Sequence, residues 1–70
     1  MDVQQVIDKL TQVLEDEMQN VWVRKGAALG LGRAGGPEAR MVLARVLDNT
    51  YTNHEVRAAA AEAMGEACRG

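Results

Sequence analysis

Val23-Arg24-Lys25-Gly26-Ala27-Ala28-Leu29-Gly30-Leu31-Gly32 returns 33 residues later as Val56-Arg57-Ala58-Ala59-Ala60-Ala61-Glu62-Ala63-Met64-Gly65. The repetition extends outward from this stretch. With residues 4–36 laid on 37–69, ten of the 33 pairs are identical. Leu10, Val13 and Leu14 fall on Leu43, Val46 and Leu47, Asn20 on Asn53, and Ala34 on Ala67. Chance would give roughly two or three identities, and a fixed period of about 20–50 residues marks a solenoid of stacked supersecondary units. Such architecture points to binding or assembly and away from chemistry.

The period within each repeat is helical. Val3, Val6, Ile7, Leu10, Val13, Leu14 and Met18 recur at steps of three and four, predicting one amphipathic helix over residues 3–18 with Asp2 as its N-cap. Asn20 is placed to cap a second helix over 21–33, with Val23, Ala27, Gly30 and Leu31 on its inner side. Gly35-Gly36-Pro37 ends it, glycine for a left-handed terminus and proline opening the next helix. The third helix is expected over 37–48, with Ala39, Val42, Leu43, Val46 and Leu47 inward. Thr52 and Glu55 have capping-box spacing ahead of a fourth helix running to Cys68, with Val56, Ala60, Ala63, Met64 and Ala67 inward. No segment alternates with period two. The reading is therefore all-α: an α-solenoid domain over 1–70 of two helix-turn-helix repeats, about 1–36 and 37–70.

Composition excludes several functions. The chain has 70 residues, no Phe, one Trp and one Tyr, so its core must come from Leu, Val, Met and Ala. One His and one Cys supply neither a four-ligand structural zinc site nor a disulfide. Nor do they assemble a nucleophile–base pair, so catalytic, cofactor and metal residues are all read as none. A net charge of −2 argues against a nucleic-acid partner, and no apolar run is long enough for a membrane span. The first residues lack the basic and apolar regions of a secretory signal, and with a lone thiol this suggests the cytoplasm. Gly30-Leu31-Gly32 with Gly35-Gly36 is a poor phosphate loop, since no strand precedes it and no Lys-Ser/Thr follows. Gly26 and Gly30, four apart, read instead as the place where two helices approach closely.

The Val-Arg, Ala-Ala and Leu-Gly or Met-Gly steps of the quoted stretches resemble the second helix of HEAT repeats. More narrowly they are similar to the short HEAT-like repeats of phycobilisome bilin lyases. Pro37 and the Leu43…Val46-Leu47-Asp48 segment are similar to the following first helix, so the resemblance covers nearly the whole chain. It implies a curved stack whose second helices line a concave, partner-binding side. It also implies that Arg24 and Arg57 reach acidic residues near the end of the preceding helix: Glu15 or Asp16, and Asp48. A metal-enzyme branch of these proteins carries His-Glu directly after Val-Arg. Here those places hold Lys25-Gly26 and Ala58-Ala59, and His54-Glu55 lies before Val56, so that chemistry does not transfer. DNA-glycosylase members have long arrays with basic concave faces, unlike this chain.

Beside the inner stripe of the second helix runs another: Trp22, Lys25, Leu29 and Arg33. Its counterparts on the fourth helix are Glu55, Ala58, Glu62 and Glu66. Trp is a frequent interface anchor. These stripes, lying side by side, are either a recognition patch centred on Trp22 and Leu29 or a solvated face laced by pairs such as Lys25–Glu62 and Arg33–Glu66.

The repeats differ in polarity. Asp8, Lys9 and Thr11 stand where the third helix has Met41, Val42 and Ala44, and Ala58-Ala59-Ala60-Ala61 makes the fourth helix apolar all round. Such a helix is expected to be buried on every side. Repeat one thus reads as a cap with a wet outer face. Repeat two reads as an internal repeat, and Gly70 aligns with Pro37, where a third repeat would begin. Either the chain is a fragment of a longer array, or Met41, Ala58, Ala61, Met64 and Cys68 mediate self-association, as in a symmetric homodimer. The functional expectation is a non-enzymatic interaction or scaffold module with a protein partner, the alternative being an accessory subunit or fragment of a HEAT-like lyase or other enzyme complex.

Overall fold

The computed structural model describes residues 1–69, and Gly70, the residue aligned with Pro37, lies outside them. Four helices follow in order: α1 (Val3–Glu15), α2 (Val21–Ala34), α3 (Gly36–Asp48) and α4 (His54–Ala67). Among the described residues there is no strand. The fold is the α-solenoid of two helix-turn-helix repeats, with α1 and α3 as first helices and α2 and α4 as second helices.

Three of the helices, α1, α2 and α4, begin on a residue whose side chain satisfies orphan backbone N–H groups, while α3 opens on Gly35 with Pro37 in its first turn. Asp2 accepts from the Gln5 N–H at 2.8 Å while the Gln5 side chain accepts from the Asp2 N–H at 2.9 Å, a full capping box. Asn20 Oδ1 accepts from the Trp22 N–H at 2.7 Å, and Asn53 Oδ1 from Glu55 and Val56 at 2.8 and 3.3 Å. The cap of α4 is thus Asn53, the repeat partner of Asn20, rather than Thr52, which is buried. Asparagine, one residue nearer the helix, reaches the N–H groups first. The loops inside the repeats also match: Asp16 Oδ1 accepts from Met18 N–H and Asn49 Oδ1 from Tyr51 N–H. That turn ends α1 at Glu15, three residues short of the periodic stripe, and leaves Met18 exposed. Between the repeats Gly35 and Gly36 have φ of +69° and +89°, a region that favours glycine.

The core is one cluster of small and branched side chains. Leu14, Leu31, Leu43 and Val56 are its largest fully buried members, around Ala27, Ala28, Ala59, Ala60 and Ala63. Alanine dominates because α2 and α4, the most extensively packed pair of helices, run close together. A Cβ on Gly32 would lie 2.7 Å from the Ala63 carbonyl oxygen and 2.8 Å from its Cβ. Gly32, not Gly26, is therefore the glycine that this approach requires. Gly26 faces open space, and Gly30 faces the Leu10 side chain within its own repeat.

Besides Met18, three residues of the expected inner stripes lie outside the core: Val3, Val6 and Val23 are exposed. They sit on the side of repeat one that faces away from repeat two. Asp8 and Thr11, expected on a wet outer face, instead border the groove between α1 and α3. The expected wet outer face of repeat one is thus corrected for Asp8 and Thr11, while Lys9 is exposed. Val3, Val6 and Val23 put apolar side chains on its surface, and Asp8 and Thr11 sit at the junction between repeats. Ala58 and Ala61 are exposed, so α4 is covered only on the sides that meet α2 and α3.

Candidate functional site

The second helices form a trough. Lys25 and Leu29 of α2 line it with Glu55, Ala58 and Glu62 of α4. Further along, Leu29 and Arg33 face Glu62 and Glu66. Steps of three and four residues put each stripe on one helix face, and the close α2–α4 packing places the two faces side by side. Trp22 adjoins the trough, 74% exposed, with Lys25 Nζ 4.5 Å from its ring centroid. Leu29 is 39% exposed, a large apolar side chain left open between charged neighbours.

The charges of the trough are not spent on one another. Neither Lys25–Glu62 nor Arg33–Glu66 forms an ion pair among the described residues. Lys25 lies over Trp22 instead, a cation–π contact. The ion pair that does form joins the first helices: Arg45 Nε donates to Glu15 Oε2 at 2.7 Å. The Glu15 hydrogen bond, with its charge, holds Arg45 above the ordinary arginine value. Both side chains are largely exposed, so the pair contributes little to stability.

Arg24 and Arg57 do not reach Glu15, Asp16 or Asp48. Arg24 Nε donates to the Leu14 carbonyl and Arg57 Nε to the Leu47 carbonyl, each at 2.9 Å. Both acceptors lie in the last turn of a first helix, where carbonyls have no intrahelical partner. Arg24 is 6% exposed, and the nearby carboxylates are engaged elsewhere: Glu15 with Arg45 and Asp16 with the Met18 N–H. The arginines are thus structural caps, and the trough is free of them.

Of the five residues at the end of repeat two, Met41, Ala58, Ala61 and Cys68 are exposed, and Met64 is half-buried against the core. Cys68 is a free thiol. Two features escaped sequence reasoning. Thr11 Oγ1 is buried without a hydrogen-bond partner among the described residues, and nothing in the residue pattern signals that. Gly32 had a signal, since it recurs as Gly65 whereas Gly26 and Gly30 are replaced by alanine.

Among the described residues no group of three or more His, Cys, Asp or Glu could hold a metal ion, and no helix is long and apolar enough to cross a membrane. No curated protein and no solved structure matches the chain. HEAT repeats, a family that generally mediates protein–protein interaction or scaffolding and is typically non-enzymatic, match residues 1–68. With two stacked helix pairs, matching asparagine caps and the repeated Arg-to-carbonyl bond, the chain belongs to the HEAT-repeat family.

Proposed function

We propose that this chain is a protein-interaction module whose α2–α4 trough holds an amphipathic segment of a partner protein. The observation that carries the reading is the state of the trough. Leu29 lies open between helices, and Glu55, Glu62 and Glu66 have no ion-pair partner among the described residues. The fitting partner presents an apolar side chain to Leu29 and cationic side chains to the α4 carboxylates. Trp22, an amphipathic ring beside the trough, is the anchor at its rim. Trp22 is the chain's one tryptophan, so its emission reports on the site. Titration with a leucine–lysine amphipathic peptide is expected to shift that emission saturably in the wild type and not in Leu29→Glu. An emission unchanged by the peptide in the wild type would remove this reading.

A second surface, the end of repeat two, supports self-association through Met41, Ala58, Ala61, Met64 and Cys68. The observation favouring it is that Ala28 is fully buried whereas its repeat partner Ala61 is exposed. The lyase resemblance extends the module to an accessory role beside a tetrapyrrole enzyme. A tetrapyrrole titration without an absorbance change would remove that extension.

A further inference from the structure

Positions 33 apart share one fold and differ in what lies beside them, so each pair compares a covered and an uncovered version of one surface. Val56 is 0% exposed beneath repeat one, whereas Val23, its counterpart, is 48% exposed. Ala39 is likewise buried and Val6 exposed. These residues of repeat one lack the neighbour that repeat one itself provides to repeat two. At the other end the relation reverses. Gly32 is buried against Ala63, and among the described residues Gly65 has nothing within 4 Å of where a Cβ would project. The face that α2 turns to α4 therefore recurs bare on α4; on α2 the counterpart of buried Ala59 is the open Gly26, while Gly30, the counterpart of Ala63, is half-buried against Leu10.

We propose that a second copy of this chain docks head to tail on the first, α4 of one copy packing on α2 of the next as α4 packs on α2 within the chain. The occupant follows from continuity with that internal interface, because each bare face already has its complement on the opposite end of the same molecule. This rests on the self-association reading and decides its geometry. A two-fold pairing of the repeat-two ends would leave Val6 and Val23 bare on both copies. Head-to-tail contact covers both ends, and it either closes into a ring or continues as a filament. The outer helices make this junction weaker than the internal one. Within the chain Arg45 pairs with Glu15, and one repeat on these places are held by Gln12 and Asp48, an amide opposite a carboxylate. Assembly is therefore reversible and dependent on concentration.

The test is complementation, read by light scattering and sedimentation. The wild-type mass is expected to rise with concentration past twice 7.6 kDa. Val23→Glu blocks one end and Ala61→Glu the other, so each alone is monomeric, and an equimolar mixture forms a dimer through the two free ends and nothing larger. Circular dichroism establishes that each variant is folded. Should Ala61→Glu lose its helical signal, Gly65→Ala on the same end replaces it: the added Cβ weakens association while raising the melting temperature of the dilute monomer. If Val23→Glu dimerises as the wild type does while Ala61→Glu stays monomeric, the head-to-tail geometry is overturned and repeat-two self-association survives. A wild type that remains at 7.6 kDa throughout the series overturns both.

Discussion

Arg24 donates its Nε–H to the Leu14 carbonyl oxygen at 2.9 Å, and Arg57 does the same to Leu47 at the same distance. One guanidinium in each repeat, buried in Arg24 and half-buried in Arg57, thus ties the start of the second helix to the end of the first. Replacing Arg24 with Met keeps the apolar stem and removes the donor. A lost hydrogen bond from a charged group costs about 1.5–3 kcal/mol. Urea denaturation is expected to show that loss, with a smaller one for Arg57→Met, because Arg57 is only half-buried. Equal losses would mean that burial does not set the strength of the cap.

Two glycines of α2 should respond to alanine with opposite signs. In Gly32→Ala the Cβ meets the Ala63 backbone, which cannot rotate away. Overpacking of this kind typically costs about 1–3 kcal/mol. Gly26→Ala meets nothing within 4 Å and gains helix propensity, on the order of 0.5–1 kcal/mol. Thermal melts of the two variants, each referred to the wild type, check the sign.

Thr11→Val should stabilise the fold. Thr11 Oγ1 is buried without a partner, and valine has the same branched shape with no polar atom to desolvate. Relief of such a group is worth roughly 1 kcal/mol. Repeat two already carries an apolar residue, Ala44, at this position. A lowered urea midpoint would show that the hydroxyl finds a partner in solution.

Trp22→Ala separates binding from folding. The ring is 74% exposed and its contact with Lys25 lies at the surface, so stability should change by no more than about 1 kcal/mol. Binding of the leucine–lysine peptide, followed by calorimetry, should be lost. Unchanged binding in a folded variant would separate the trough from its proposed anchor.

By itself the sequence determined the number of helices, their order, the glycine turn between repeats and the stacking of two like units. Those follow from local signals: a period of three and four, asparagine caps, Gly35-Gly36, and a register of 33 kept through ten identities. It also put Trp22, Lys25, Leu29 and Arg33 on one stripe, because spacing along a helix is a local property. Only the tertiary structure decided what each face meets. Residue spacing cannot choose between a carboxylate and a main-chain carbonyl as the partner of Arg24, since the carbonyl belongs to every residue and its freedom depends on where α1 ends. Nor can it say which of several glycines lies under Ala63, or that Asp8 and Thr11 turn to α3 while Val6 and Val23 turn away. Those outcomes depend on the rotation of each helix about its axis, which is set by many simultaneous contacts across the core rather than by any one segment.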